Sequence, residues 1–209
     1  RALTELADTL RVGETEIEIA RRLESLFGQL GAEDRAFPTI VAAGENSAIP
    51  HHRPTRRPLC SGDLLVIDCG AKVDGYHADM TRTYIVASDP DPWQREIYEI
   101  TAQSQLATLA RIAPGMGIAD VDQIAREVIA GAGFGSEFSH GTGHGVGLEI
   151  HEKPMIVAAA AGTLSSAMVI TVEPGVYLPG RGGVRIEDTV LVQETATTLT
   201  HAARELTRV

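Results

Sequence analysis

Residues 62–84 read GDLLVIDCGAKVDGYHADMTRTY, and the register of this stretch decides the fold. Asp74-Gly75 is a two-residue hairpin signal, because both central positions of the favoured turn need positive φ. It separates two β-type segments, LLVIDCGAKV (64–73) and YHADMTRTYIVA (76–87). Counting outward from the turn pairs Val73 with Tyr76, Gly70 with Asp79 and Asp68 with Thr81. Side chains alternate along a strand, so Asp68 and Asp79 become diagonal neighbours on one face, with Cα atoms roughly 7 Å apart. Gly70 leaves space beside Asp79. Two carboxylates at that reach can each hold one ion of a divalent pair, or share one.

Upstream of this hairpin the pattern is helical. Leu3, Leu6 and Leu10 form a stripe that starts without a cap, as expected of a chain cut inside or just before a helix. Thr15 followed by Glu18 forms a capping box, and Ile19, Leu23, Leu26, Phe27 and Leu30 give one apolar face ending at Gly31. PTIVAAG (38–44) is then a strand. Downstream the same order returns. Trp93, Ile97, Ile100, Ser104 and Ala107 mark one helix, and Ile118, Val121, Ala125 and Val128 another, followed by the strands AMVITVEPG (167–175) and GVRIEDTVLV (183–192). The breaks RVGET (11–15) and APGMG (113–117) fall at equivalent places. The expectation is an α+β fold of two pseudo-symmetric halves, helices packed on one face of a curved, mostly antiparallel sheet and a cleft on the other.

The second half adds acids on apolar strands. Glu173 is in phase with Val169 and Thr171, and Glu187 with Arg185 and Thr189. Ionised carboxylates buried without partners cost several kcal/mol each, so something cationic must compensate. One arginine, Arg185, neutralises one of four acids, whereas two divalent cations balance all four. SHGTGHGVGLEIHE (139–152) contributes His140, His144 and His151 among glycines that permit close backbone approach, which suggests a ligand and substrate contacts. Zinc-finger and HExxH spacings are absent.

Composition bounds the rest. The 209 residues suit one domain, and 44% hydrophobic with 22% charged residues is ordinary for a globular chain. A formal charge of -10 argues against nucleic acid as a partner. No apolar run reaches the length of a membrane span. Two cysteines, Cys60 and Cys69, make no disulfide framework, and the expectation is a reducing, cytoplasmic compartment.

These motifs resemble the pita-bread metallopeptidases, and within them the prolidase and Xaa-Pro aminopeptidase branch. The likeness runs through NSAIPHHRPT (46–55), residues 62–84, HGTGHGVGLEIHE (140–152), TVEPGVYLPG (171–180) and GGVRIEDTVLV (182–192), almost the whole chain. The resemblance implies that residues 1–209 are the catalytic domain, with a separate N-terminal domain expected before it, and that the full-length protein is a homodimer. It implies a hydrolase cleaving peptide bonds at proline, as an Xaa-Pro dipeptidase or aminopeptidase, through a hydroxide bridging two divalent ions. Manganese is favoured over cobalt, zinc and iron. On this resemblance Asp68 chelates one ion, Asp79 and Glu187 bridge the pair, and His144 and Glu173 complete the second site. His51, His140 and His151 fall where the family contacts substrate or the tetrahedral intermediate, Glu173 would relay a proton, and Arg185 would orient a ligand carboxylate or bind substrate. Methionine aminopeptidases share the fold and ligands but carry a Phe-Glu-His pattern where this chain has Arg185-Ile186-Glu187-Asp188. Metal-free creatinase-like enzymes and non-catalytic pita-bread modules remain as alternatives, although their ligand losses are not seen here.

Overall fold

The apolar stripes close into two helical pairs, each followed by strands, in a computed structural model describing residues 1–209. The first half runs α1 (Ala2–Ala7), α2 (Glu16–Gln29), β1 (Asp34–Arg35), β2 (Ile40–Ala43), β3 (Leu64–Cys69), β4 (Ala71–Val73), β5 (Tyr76–His77) and β6 (Met80–Ile85). The second runs α3 (Pro92–Leu109), α4 (Ile118–Gly131), β7 (Gly143–Gly145), β8 (Glu152–Ile156), β9 (Val169–Val172), β10 (Gly175–Leu178), β11 (Gly182–Arg185), β12 (Asp188–Leu191) and β13 (Thr197–Thr198). Helix starts follow local chemistry. Thr15 and Glu18 form the reciprocal capping box, and Asp91 and Gln94 form another with Pro92 in the first helical turn.

The internal repeat is visible in hydrogen bonds. Gly13 and Gly115, at φ 91° and 86°, donate to the carbonyls of Leu59 and Leu164. Leu59 and Leu164 donate back to Glu14 and Met116, and both leucines are buried. Positive φ at the two glycines is what lets each helical pair turn back onto its sheet. Nine residues beyond each leucine stand Asp68 and Glu173. The order β2-β3-β6 matches β7-β9-β12, and the registers Ile67 to Arg82 and Val172 to Asp188 make Arg82 the counterpart of Asp188.

Strand pairing in the hairpin agrees with the turn count: Val73 faces Tyr76 and Asp68 faces Thr81. Three details differ from the sequence expectation. Space beside Gly70 is filled by main chain, since a Cβ there would overlap the Ala78 carbonyl. The buried face of α3 is largely polar, Gln94, Thr101, Ser104, Gln105 and Thr108 joining Ile97 and Tyr98, while Trp93, Ile100 and Ala107 are only half-buried. Thr101 and Thr108 satisfy their hydroxyls on carbonyls one turn back, and Ser104 reaches Ala125 on α4, so a polar face packs without unmet donors. The curved sheet is also divided into hydrogen-bonded pieces, β2-β3-β6, β13-β12-β9-β7-β8, β1-β4-β5 and β10-β11. At the seam between halves the ladder shrinks to the Glu187 N–H on the Thr81 carbonyl at 3.1 Å, flanked by side-chain bonds. Thr189 Oγ1 donates to the Asp79 carbonyl, and its counterpart Thr83 Oγ1 donates to the Arg185 carbonyl. α1 and α2 pack over β2, β3 and β6, while α3 and α4 pack over β9 to β12 and also reach Leu64 and Ile85 of the first half, leaving the opposite side as a cleft.

Candidate metal centre

Each acid reaches the cleft from a place where a strand ends or breaks. Asp68 lies one residue before the end of β3, Asp79 just before β6, Glu173 just after β9, and Glu187 in the gap between β11 and β12. His144 is the middle residue of β7, between two glycines. A Cβ at Gly143 would strike the Thr171 carbonyl and one at Gly145 the Lys153 carbonyl, so only glycines let β7 slot between its neighbours. Its N–H donates to Thr171 Oγ1 at 3.0 Å. All nine residues singled out from the sequence, His51, Asp68, Asp79, His140, His144, His151, Glu173, Arg185 and Glu187, line one cavity of about 610 Å³.

The innermost group has acceptors facing acceptors. His144 Nδ1 is 2.9 Å from the Gly145 carbonyl, so Nδ1 carries the hydrogen and Nε2 presents a lone pair. That lone pair is 3.5 Å from Asp79 Oδ2 and 3.5 Å from Glu173 Oε1. Single ligand atoms of Asp79, His144 and Glu187 lie within 4.8 Å of one another, all buried. Asp68 Oδ1 is buried with no hydrogen-bond partner. Convergent lone pairs plus an orphaned carboxylate oxygen are the arrangement a divalent cation satisfies, and the donor set fits such ions.

Burial dominates the electrostatics. It pushes the carboxyls of Asp79 and Glu187 well above the usual range, and neighbouring acids add to it, Glu187 and Asp68 for the first and Glu173 and Asp68 for the second. Burial likewise raises Glu173 to about 7, against the pull of Arg185. It holds His144 below its ordinary value and His140 at about 4, the Arg185 charge assisting in the latter, so both imidazoles are neutral near neutrality.

Arg185 ties the surroundings together. Its Nη2 donates to Asp68 Oδ2 at 2.6 Å, its Nε to Thr81 Oγ1 at 3.1 Å, and its Nη1 to the Tyr177 hydroxyl at 2.9 Å and the Pro50 carbonyl at 3.2 Å. Thr81 passes its own hydrogen to Glu187 Oε2 at 2.7 Å, and Tyr177 is 2.8 Å from His140 Nε2. His140 Nδ1 meets the Gly141 carbonyl, so Nε2 accepts from Tyr177 and both ring nitrogens are engaged. His151 stands edge-on to His144 with ring centroids 4.4 Å apart and is exposed toward the cavity.

Four supporting residues escape a reading of the sequence. Tyr177 is one. Glu16, fully buried in the first turn of α2, accepts from Ala43 N, Asn46 Nδ2, Thr55 N and the Thr55 hydroxyl and meets His52 Nε2 at 2.9 Å, fastening the segment that carries His51. Asp122 on α4 accepts from Thr142 N and Oγ1, and Arg126, forked onto Asp122, donates to the His140 carbonyl. Glu16 reads as an ordinary first-turn acid and Asp122 with Arg126 as a surface i,i+4 pair. Only Tyr177, a polar-tipped aromatic in the apolar run GVYL (175–178), carried a local signal, since a buried tyrosine hydroxyl needs a partner.

Comparison with known proteins agrees with this geometry. The profile of metallopeptidase family M24 matches residues 1–194. The Xaa-Pro dipeptidase of Pyrococcus furiosus is 46% identical over 207 residues, 99% of this chain and 59% of that protein. Among solved structures, the Xaa-Pro dipeptidase from Bacillus anthracis has a TM-score of 0.97 at 38% identity, covering 100% of this chain and 59% of the other. The X-Pro aminopeptidase from Thermotoga maritima MSB8 has a TM-score of 0.97 at 39% identity, with 100% and 59% coverage. The chain thus spans about six tenths of the length of the curated relatives it matches. With a profile match over nearly its whole length, TM-scores of 0.97 to pita-bread structures and a cluster of metal-ligand type in its own cleft, the chain belongs to the prolidase branch of metallopeptidase family M24.

Proposed function

We propose that this chain is the catalytic part of a divalent-metal peptidase that hydrolyses peptide bonds at proline. The observation that carries the reading is the buried convergence of Asp79, His144 and Glu187 beside the unpartnered Asp68 Oδ1, inside a cavity large enough for a short peptide. Asp68, Asp79, His144, Glu173 and Glu187 would hold two ions, manganese by family likeness. Divalent ions so held lower the pKa of a bound water and polarise a carbonyl.

The chain's own groups do the rest. Glu173 would take a proton at a carboxylate oxygen and deliver it to the leaving prolyl nitrogen. His151, open to the cavity, donates to the developing oxyanion, while His140 is held neutral and fixes one wall through Tyr177. Arg185, almost wholly spent on protein acceptors, orients Asp68 and, through Thr81, Glu187. Phe37, Pro38 and Val157 supply apolar wall for a proline ring. No helix of the chain is long and apolar enough to cross a membrane, and the cytoplasmic, homodimeric reading belongs to the same proposal.

The test pairs chemistry with composition. Metal analysis of the purified chain is expected to give up to two divalent ions, and assays to show cleavage of Gly-Pro or a longer Xaa-Pro peptide and not of Met-Ala. Glu187→Gln is expected to lower ion affinity by more than about 100-fold, since even partners one shell further out are worth about 10- to 100-fold. Unchanged ion content and turnover in that variant would overturn the ligand assignment.

A further inference from the structure

The cavity is acidic at its floor, and a substrate with a free carboxylate needs a cation to meet it. Lys side chains are absent from the lining, which holds two arginines, Arg53 and Arg185. Arg185 is only 3% exposed and has donated four of its hydrogens to Asp68, Thr81, Tyr177 and Pro50. Turning it toward substrate would strip Asp68 of its buried counter-charge, at the cost of leaving a buried charge alone. Of the histidines, His52 is committed to Glu16 and His140 to Tyr177 and Gly141.

Arg53 is different on each count. It is exposed, lines the same cavity, and carries no ion pair to any acid of the protein. Its backbone is nonetheless held. His52 on one side and Thr55 two residues on are both fastened to the buried Glu16 carboxylate, and the Pro50 carbonyl is held by Arg185. A pinned backbone keeps the free guanidinium within reach of the cavity, and an arginine takes a planar carboxylate as a bidentate pair. Glu16 is thereby a positioning residue for this segment.

We infer that Arg53 binds the free C-terminal carboxylate of the substrate, which makes the site one for Xaa-Pro dipeptides rather than for longer Xaa-Pro peptides. The inference rests on the proline-peptidase reading above. Phe37, Pro38 and Arg53 line the same cavity as the acids of its floor, so one site offers apolar wall for a proline ring and a guanidinium for the carboxylate that follows it.

The experiment uses the ion-loaded protein with Gly-Pro and Gly-Pro amide, which differ in the charge of the far end alone, and a longer Xaa-Pro peptide. The wild type is expected to favour Gly-Pro over its amide by about tenfold or more in kcat/KM, the scale of one charged hydrogen bond. Arg53→Ala is expected to raise KM for Gly-Pro by about that factor, leave kcat within about twofold, and leave KM for the amide unchanged. Arg53→Lys should recover part of the preference, since it keeps the charge without the fork. Equal use of acid and amide by the wild type, or an unchanged ratio in Arg53→Ala, would overturn the role of Arg53 while leaving the peptidase reading intact. Failure of the wild type on all three substrates would overturn both. Thermal melting of Arg53→Ala should match the wild type, and a lowered melting point with both substrates equally impaired would also count against carboxylate binding.

Discussion

The two halves share a scaffold and differ in charge at matched positions. Leu59 and Leu164 sit in the same hydrogen-bonded turn, and the count from each arrives at an acid, Asp68 in one half and Glu173 in the other. The return strands diverge. Arg82 on β6 stands where β12 has Asp188, and these counterparts form a buried ion pair with N···O of 2.7 Å. Thr81 stands where the second half has Glu187, and donates to it. Asp79 corresponds to Arg185, their carbonyls receiving the matched Thr189 and Thr83 hydroxyls. A perfectly repeated sequence would set like charges against each other across the seam. On the return strands, opposite or neutral partners at the matched positions keep the symmetry of the backbone while removing that repulsion, and of these pairs only Asp68 and Glu173 keep like charge.

The comparison breaks most severely at Arg82. It is 1% exposed, donates to Asp188, to the carbonyls of Thr81 and Glu187, and to those of Ala202 and Ala203. Arg82→Leu leaves Asp188 short of its main counter-charge and is expected to cost about 3–5 kcal/mol in urea unfolding of the ion-free chain. Burial alone would raise the Asp188 carboxyl, but the Arg82 charge and hydrogen bonds from Thr200, Arg82 and Arg204 outweigh it and set it below its ordinary 3.8. Its contribution is therefore complete above the unfolded value near 3.8 and is lost as pH falls from there through the depressed folded value. Arg82→Leu should flatten that acid limb of the stability curve. A variant as stable as wild type would show that the matched pair does not hold the seam.

A sharper contrast lies at the glycines two residues beyond the matched acids, Gly70 after Asp68 and Gly175 after Glu173. A methyl at Gly70 meets the Ala78 backbone, whereas one at Gly175 meets the Tyr177 ring. Gly70→Ala is expected to destabilise by about 1–3 kcal/mol through backbone displacement. Gly175→Ala should cost less stability and more turnover, because it displaces the tyrosine shared by Arg185 and His140. Calorimetric melting run beside kcat/KM separates the two, and equal stability losses would remove the distinction.

The smallest expected effect concerns the helix starts. Thr15 caps α2 with its side chain, while its counterpart Gly117 caps α4 with none. Thr15→Ala should cost about 1 kcal/mol, and Gly117→Ser should move stability by less than about 1 kcal/mol, since glycine is already an acceptable cap. Denaturant midpoints check both.

Much of this was legible in the sequence where the information is local. Asp74-Gly75 fixes the hairpin register within a few residues of itself, so Asp68 opposite Thr81 follows by counting. The acids stood out because charge on apolar strands calls for compensation, and His144 because it falls with two further histidines in a Gly-rich stretch that reads as neither helix nor strand, although the structure makes it part of β7. Glu16 and Asp122 were illegible because their burial depends on partners far along the chain, Ala43 to Thr55 for one and Thr142 for the other. The polar face of α3 was misread for the same reason. Ser104 falls on the marked face, but Gln105 beside it looks solvent-facing until Asp188 arrives to receive its amide.

Asp68 and Asp79 come from one half, and His144, Glu173 and Glu187 from the other. Ions gripped by these side chains would be rivets through the seam, each loaded ion charging any separation of the halves with its own binding free energy. Stripping them with a chelator therefore does more than silence chemistry. It would remove fasteners that act beside the core shared by Leu64 and Ile85 with α3, α4 and β11 and beside the main-chain bonds Glu187 N to Thr81 O and His77 N to Gly147 O, so that the ion-free chain opens more readily to proteolysis along the seam.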